Sequence, residues 1–434
     1  MFNLKLHNTS MHGEILSGIA MFLAMSYILV LNPELLSECG LDKEGVFIAT
    51  IMATSLTTMI SAFYTKMPLV MAPSMSFTMF FYVIAIKVFK GDWMMAMLAT
   101  YISGAFVLLF VLCGSEEWFG KFVPNYMLHA IIAGLGLSSV RIGLSRLEIV
   151  GQDSAGKWLL QTAELNKSVC CVLCLVLLFI LIRRKVRGAI WIGLLGTYIL
   201  GLALDFLEYI QSYPIDIYQF FRKYIAGNTE IKEITKVAFQ FASFDTVTMS
   251  SSQIFKLLGV SLVMAVFQYL SAYGTVYACL EKVKESDKRF FVSSKKRAMI
   301  VNSAGSIISG CLGAAPATTS MESIVGIAMG GKTGVSAIVV AILFCLSFLL
   351  GPFFISISKF VTSPLLIFSG IIFMRRLSQI SFESIRATVT SLFIFVYIGI
   401  SGQVGVGLIL GVILHMIFEG FVRLIGYHRE AGRR

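Results

Sequence analysis

The sequence predicts an all-α polytopic membrane protein, and three observations support this fold class. Hydrophobic residues make up 57% of the 434 residues and charged residues only 14%, with a mean hydropathy of +0.84, which excludes ordinary soluble domains and disordered chains. Apolar runs of about 20 residues, the length that crosses a bilayer, recur from Glu14 to the C-terminus, and we count about 14 of them. Two of the apolar stretches are broken by an Ala-Pro step, one in each half of the chain.

The two breaks have the same design. The first, in residues 67–78, has its proline at Pro73, and the second, in residues 313–326, at Pro316; small and hydroxyl residues follow each proline. A broken helix is tolerated in hydrocarbon only where its freed backbone groups line a cavity or are buried in protein. Paired broken helices are typical of transporters built from inverted repeats, in which both half-helices face a shared site. The alternative is that Pro and Gly are simply common in membrane helices.

The second break carries Glu322, in the first turn of the restarting helix. A charged side chain at membrane depth costs roughly 3 kcal/mol on insertion scales, so it is rarely kept without a use. We find no Lys or Arg inside a neighbouring span, so the predicted partners of Glu322 are the amide edge of a substrate and the half-helix dipoles.

Basic residues account for the net charge of +11, and they lie in short loops between the apolar runs. Cytoplasmic loops are enriched in Lys and Arg, so we interpret this charge as a topology signal and not as a nucleic-acid-binding surface. If all these groups are cytoplasmic, the protein lies in the cell (inner) membrane with both termini on the cytoplasmic side. The groups are residues 183–187, 282–297, 375–376 and 423–434.

The chain order then divides into two halves. The first span ends at Asn32-Pro33, where proline is expected to stop the helix. A long polar segment, residues 205–252, is predicted to be a surface loop with an interfacial helix, and it connects the halves. We assign residues 1–210 to a first repeat of spans 1–7, 211–252 to an extracytoplasmic connector, 253–424 to a second repeat of spans 8–14, and 425–434 to a basic cytoplasmic tail. The predicted spans are residues 15–31, 45–63, 94–112, 124–144, 168–182, 188–204, 253–280, 298–312, 335–351, 365–374, 387–400 and 404–421, with a half-helix up to residue 87 and another after residue 322.

Three local patterns are better explained without special chemistry. Residues 326–333 match GxxxxGK[ST], but a phosphate loop needs a strand before it and a helix after it, whereas this stretch lies between apolar helices. Cys171 and Cys174 form a CxxC within a span, where cysteine usually packs as a small hydrophobe. His129 and His415 are interpreted as packing residues, because neither has an evident acidic partner. The sequence therefore predicts no cofactor and no metal site.

Taken together, these stretches resemble the adenine/guanine/hypoxanthine permease branch of the nucleobase transporter superfamily, which also includes xanthine/uracil and nucleobase-ascorbate transporters. The chain is similar to a divergent member of that branch. The matching segments run through the chain in the family's order and are residues 22–28 with 32–33, 45–50, 72–75, 318–326 and 330–334.

The resemblance implies a fold and a function. It implies two inverted seven-span repeats, two broken half-helices preceded by short extended segments, and a core domain that moves like an elevator against a gate domain, often in a homodimer. It also implies uptake of a purine nucleobase by proton symport. Glu322 matches the acid that contacts the base, and it is the expected proton-coupling residue. The expected substrate-binding residues are Glu322, Ser271, Gln268, Ser74, Ser76, Thr78, Thr319 and Ser323.

The chain also departs from the family pattern. Gln268, Ser271 and Asn302 stand where the family usually has acids. Ser74 and Ser76 replace expected glycines, and Thr78 replaces an expected asparagine. Because a hydrogen-bonding site discriminates by the groups it leaves unpaired, these changes leave the exact solute and the proton coupling open.

Other functions remain as alternatives. A carrier of the same fold for an anion or a nucleoside, or a sensor that does not transport, fits the same residues. An intramembrane enzyme is disfavoured, because the sequence has no HExxH, no GxSxG and no paired membrane acids.

Overall fold

The structure, a computed structural model of the chain, is dominated by α-helices. It describes residues 4, 7, 9–114, 124–147, 150–152, 158–160, 165–184, 192, 196, 250–283, 288–351, 354, 359–380, 384–401 and 404–431. The predicted connector and the predicted span at residues 188–204 lie outside the described residues, apart from isolated positions.

Regular elements follow the predicted order of spans. In the first half they are α1 (Met11–Met25), α2 (Ile28–Ser37), α3 (Lys43–Thr65), β1 (Met71–Pro73), α4 (Met75–Val83) with a π-helical extension (Ile84–Val88), α5 (Trp93–Leu112), α6 (Asn125–Arg146), β2 (Val150–Gln152), β3 (Trp158–Leu160) and α7 (Leu165–Arg183). In the second half they are α8 (Ser251–Val283), α9 (Lys288–Leu312), β4 (Ala317–Thr319), α10 (Ser323–Ala328), α11 (Gly334–Ser347), α12 (Lys359–Met374), a 3-10 turn (Arg375–Gln379), α13 (Ile385–Ser401) and α14 (Val404–Ala431).

Membrane-spanning character is evident in the described helices. Five segments are long and apolar enough to cross a bilayer, and further apolar helices are shorter, α11 and α13 among them. The five segments are Met11–Ser37, Lys43–Thr65, Trp93–Leu112, Tyr126–Ser145 and Ser251–Val276. The prediction of a polytopic helical membrane protein is therefore confirmed.

Pro33 does not end the first span, contrary to the sequence-based expectation. The helix continues through Pro33 to Ser37, and its residues from Ile28 to Leu36 are buried. The Asn32 Nδ2 donates a 2.7 Å hydrogen bond to the Thr50 hydroxyl of α3. Packing against neighbouring helices compensates for the single backbone donor that proline removes, as is common in membrane proteins.

Both Ala-Pro breaks form short extended strands that pair with each other. β1 and β4 are antiparallel, with Ala72 opposite Thr318, and both strands are fully buried. The Ser320 N–H donates to the Val70 carbonyl at 2.9 Å, and Met71 N–H donates to the Thr58 hydroxyl at 3.0 Å. The backbone groups that the broken helices free are therefore satisfied within the protein, which allows strands at membrane depth.

The helices form two bundles. In the first bundle, α1 packs on α10 and α11, α3 on α9 and α11, and α5 on α8 and α9, with the two strands in its interior. In the second bundle, α6 packs on α12 and α13, α14 packs on α13, and α7 packs on α12. The contacts between the bundles are fewer: α2 contacts α12, α4 contacts α6, and α8 contacts α6 and α14.

Close helix crossing in the second bundle depends on two glycines. A Cβ atom on Gly136 of α6 would lie 2.5 Å from the carbonyl oxygen of Gly370 of α12, and the reverse distance is also 2.5 Å. Small residues at such crossings are typical of membrane helices, since they let the two backbones approach.

Candidate functional site

A cavity of about 190 Å³ lies between the two bundles, beside the strand pair. This volume is below the roughly 300–1,000 Å³ of drug-sized ligand pockets, so the cavity suits a small solute. The first bundle contributes Tyr27, Ser74, Met75, Ser76, Ser271, Gly274, Thr275, Thr318, Thr319, Met321 and Glu322 to the lining. The second bundle contributes Leu128, His129, Ile132, Phe373 and Arg376.

Glu322 is the acid of this cavity, and it lies directly before the first residue of α10. The Tyr27 hydroxyl donates to Glu322 Oε1 at 3.0 Å, and the Ser320 hydroxyl donates to Oε2. An ionised carboxylate has about four acceptor positions, so these two bonds leave one on each oxygen for a ligand. The carboxylate is therefore held in a fixed orientation while it keeps a face for hydrogen-bond donors.

Tyr27 lies at the junction between α1 and α2. Ser26 and Tyr27 have helical dihedral angles there, so the chain passes from one helix into the next within the helical region. Tyr27 belongs to a family-like segment, but the sequence predicted no role for it. A tyrosine inside a predicted span was the available signal, because a buried hydroxyl needs a polar partner.

Four of the other predicted substrate-binding residues line the cavity with Glu322. Ser271 and Thr319 lie on the wall that α8 and β4 form, and Ser74 and Ser76 lie at the start of α4. The hydroxyls of Ser74 and Ser76 are 3.3 Å apart. Hydroxyl groups donate and accept hydrogen bonds, so this wall suits a polar, uncharged ligand edge.

The remaining three predicted residues do not line the cavity and have internal partners instead. Gln268 is fully buried, and its Nε2 donates to the Ser103 hydroxyl of α5 at 3.1 Å. The Thr78 hydroxyl donates to Asn32 Oδ1 at 2.9 Å. The Ser323 hydroxyl accepts from the Val70 N–H at 3.0 Å. Gln268 lies three residues before Ser271 on α8, only about 60° away around the helix, but the hydrogen bond to Ser103 holds its side chain against α5.

Asn302, at a position where the family usually has an acid, supports the cavity from behind. Its Oδ1 accepts hydrogen bonds from the Thr319 N–H at 2.6 Å and from the Thr319 hydroxyl at 3.3 Å. Asn302 is fully buried. It thus fixes the strand residue whose side chain lines the cavity.

Two basic residues of the cavity were not predicted. Arg375 and Arg376 were predicted together as a cytoplasmic pair, but Arg375 is exposed while Arg376 lines the cavity. His129 of α6, interpreted as a packing residue, also lines it. Sequence patterns do not separate adjacent arginines in a 3-10 turn, because only the fold decides which one faces the interior.

The phosphate-loop-like stretch holds a carboxylate of the chain itself. The backbone N–H groups of Lys332 and Thr333 donate to Glu14 Oε1 at 2.9 and 3.1 Å, and the Ser336 hydroxyl donates to Oε2. Glu14 is completely buried. A helix N-terminus with free N–H groups binds anions, and here Glu14 of α1 occupies that position at the start of α11. The stretch begins inside helix α10 and does not directly follow a strand.

Gly331 permits this arrangement. A Cβ atom there would lie 2.1 Å from the Ser17 hydroxyl, which itself donates to the Gly326 carbonyl at 2.8 Å. The loop therefore locks α1 to the second half-helix. Among the residues that the structure describes, no three His, Cys, Asp or Glu side chains are grouped to hold a metal ion.

A family model described as a permease family, the xanthine/uracil permease model, matches residues 12–412 of the chain. A putative permease from Methanocaldococcus jannaschii is 28% identical over 97% of this chain and 92% of its own length. A guanine/hypoxanthine permease from Bacillus subtilis is 24% identical over 96% of this chain and 94% of its length. An adenine permease from Escherichia coli is 22% identical over 96% of this chain and 89% of its own length.

Among solved structures, the transmembrane domain of a cyanobacterial bicarbonate transporter has a similar fold. Its TM-score is 0.64, with 14% sequence identity, and the match covers 93% of this chain and 97% of that domain. At this identity the likeness concerns the fold alone.

Proposed function

We propose that this chain, which belongs to the permease family as a divergent member, takes up a purine nucleobase by secondary active transport. Its relatives are permeases and not enzymes. The single observation that carries the proposal is the position of Glu322. It lines a small cavity between two helix bundles, with both carboxylate oxygens oriented and each still able to accept a donor. The N–H groups of a purine base are donors of that kind.

We propose that uptake of the base is coupled to the entry of a proton in the same direction, that is, proton symport. Ser271 and Gln268 form hydrogen bonds but do not carry a proton at physiological pH. Glu322 is the one acid among the described residues that line the cavity. We propose that Glu322 both contacts the base and takes the proton, although His129 is a second side chain of the cavity that can carry one.

We also propose an elevator-type movement, which the arrangement of the two bundles supports. We propose that the chain is built of two inverted seven-span repeats, so that the first bundle is a core domain and the second a gate domain. Glu322, Ser271 and Thr319 belong to the first bundle, which is fastened internally by the β1–β4 pair and the Glu14 contacts. The contacts between bundles are fewer than those within them. The substrate wall is therefore able to move as one body along the second bundle.

The membrane arrangement completes the proposal. We propose a multi-pass protein of the cell (inner) membrane, with both termini in the cytoplasm and residues 211–252 outside, and a homodimer as the assembled state. The charge distribution of the loops supports this orientation.

Arg376 favours a second candidate, a carrier of anions with the same fold. It brings a cation into the cavity that holds Glu322. A small anion would be attracted by Arg376 but repelled by Glu322, whereas a planar base offers donors to one and acceptors to the other. We therefore favour the nucleobase.

Transport by purified protein in proteoliposomes tests the proposal. Radiolabelled hypoxanthine, guanine, adenine and bicarbonate are supplied outside, with and without an inward proton gradient. We expect accumulation of at least one purine that depends on the gradient, and no bicarbonate uptake. A thermal-shift panel of nucleobases, nucleosides, ascorbate and inorganic anions identifies binding without transport. Bicarbonate uptake without purine uptake would replace the first candidate by the second, and binding without any uptake would indicate a sensor.

A further inference from the structure

We infer that Arg376 and His129 select 6-oxopurines, such as guanine and hypoxanthine, over adenine, by binding the oxygen at C6 and the ring nitrogen N7. This inference rests on the proposed function and adds its specificity. The family relatives include both guanine/hypoxanthine and adenine permeases, so family membership leaves the choice of purine open.

The cavity is polarised in charge. Glu322, on the first bundle, presents hydrogen-bond acceptors, whereas on the second bundle Arg376 presents donors and the neutral His129 ring presents one donor and one acceptor. A ligand held between the bundles therefore needs donors on one part of its edge and acceptors on another.

Arg376 and His129 have donor capacity for a ligand. A guanidinium has five N–H donors, and the 3.0 Å bond from Arg376 Nη1 to Gln379 Oε1 uses one of them. The Nδ1 atom of His129 is buried and has no hydrogen-bond partner among the described residues. A buried polar atom without a partner is costly, which favours a ligand that supplies one.

Guanine matches this polarity along adjacent positions of its edge. Its N1–H and exocyclic amino group are two neighbouring donors, which suit the two oxygens of Glu322. Its O6 and N7 are two neighbouring acceptors, and the pair of contacts from an arginine to O6 and N7 is the commonest specific contact to guanine in nucleic-acid recognition. Hypoxanthine keeps N1–H, O6 and N7 and loses only the amino group.

Adenine does not match it. Where guanine has O6, adenine has an amino group, so two donors would face each other at Arg376. Its N1 is an acceptor and would face the acceptor oxygens of Glu322 whenever that carboxylate is ionised. A binding site that hydrogen-bonds its ligand rejects an analogue that leaves the polar groups of the site unpaired, and this makes its discrimination between the two ligands large.

Apolar side chains fit the faces of the same ring. Met75 and Met321 of the first bundle and Ile132 and Phe373 of the second line the cavity. Aromatic and thioether groups contact planar rings favourably. The cavity is thus apolar toward the ring faces and polar toward its edges.

Competition for uptake in proteoliposomes tests this inference. Uptake of labelled hypoxanthine is measured with unlabelled guanine or adenine as competitor, in the wild type, Arg376→Gln, Arg376→Lys and His129→Phe. Arg375→Gln is the matched control, because Arg375 is adjacent but exposed and outside the cavity lining. Since a selectivity ratio does not depend on the amount of folded protein, it separates specificity from stability.

We expect the wild type to prefer guanine over adenine by at least about tenfold, as one such pair of contacts provides. Arg376→Gln should reverse this preference, because glutamine pairs with N6 and N7 of adenine. Arg376→Lys should lower it, since lysine lacks the planar fork, and His129→Phe should lower it less. Arg375→Gln should leave it unchanged.

Two results would overturn the inference while the proposed function stands: a wild type that prefers adenine, or an Arg376→Gln protein with an unchanged ratio. A wild type that takes up no purine at all would overturn the proposed function and the inference with it.

Discussion

The hydroxyl of Tyr27 donates a 3.0 Å hydrogen bond to Oε1 of Glu322, although 295 residues separate them in the chain. Tyr27 lies at the junction between α1 and α2, and Glu322 lies directly before the second half-helix. The bond therefore joins the two halves of the molecule at the wall of the cavity, and it fixes one oxygen of the only acid among the described lining residues.

Tyr27→Phe is expected to weaken substrate binding without unfolding the protein. The bond orients Glu322 in the free and in the bound protein, so its loss should raise the KM for uptake by only part of the about 1.5–3 kcal/mol that hydrogen bonds to charged groups contribute, roughly threefold to tenfold. The measurement is the concentration dependence of purine uptake in proteoliposomes. Tyr64→Phe is the control, because Tyr64 is 48% exposed on α3 and outside the cavity. Equal KM values for wild type and Tyr27→Phe would remove Tyr27 from the site.

Glu322→Gln is expected to abolish proton-coupled accumulation. Glutamine keeps the size and much of the hydrogen bonding but takes up no proton, so the protein should remain folded in the membrane and retain part of its binding. Accumulation against a gradient and equilibrium binding are measured on the same preparation. Ser271→Ala, in the same cavity, should mainly weaken affinity. Wild-type accumulation by Glu322→Gln would mean that the chain is uncoupled or coupled elsewhere.

Glu14→Ala is expected to destabilise the protein strongly, whereas Lys332→Ala is expected to change little. The first variant leaves the Lys332 and Thr333 N–H groups and the Ser336 hydroxyl without their acceptor, and each unpaired buried group costs about 1–3 kcal/mol. The second keeps the backbone N–H that makes the contact. Thermal unfolding in detergent measures both.

ATP provides the control for the same loop. Because the Glu14 carboxylate occupies the position that a phosphate would take, ATP should shift the unfolding temperature of neither the wild type nor Lys332→Ala. A wild-type shift that Lys332→Ala removes would identify a nucleotide site.

Single cysteines should report the topology that the basic loops indicate. Substitutions near Thr229 should react with a membrane-impermeant maleimide added outside, and those near Lys284 should not. The native cysteines are first replaced, since Cys113 and Cys345 are exposed. The reverse labelling pattern would invert the orientation and remove the connecting role of residues 205–252.

The amino-acid sequence by itself determined the class of protein, the breaks and the central acid. Apolar runs long enough for a bilayer define helices independently of their partners, and the two Ala-Pro steps among small residues mark where two of these runs break. Glu322 stands out because a carboxylate in such a run is costly. These are local properties, which a sequence displays directly.

Only the tertiary structure decided which side chains meet in the cavity. Ser271 lines it while Gln268, three residues earlier, bonds to Ser103, because the packing of α8 against α5 sets the rotation of the helix. Arg376 faces the cavity while Arg375 is exposed. Tyr27 reaches Glu322, and Glu14 fills the loop before α11, through contacts between segments about three hundred residues apart. Such contacts depend on how the helices pack, and periodicity and motif spacing carry no information about that.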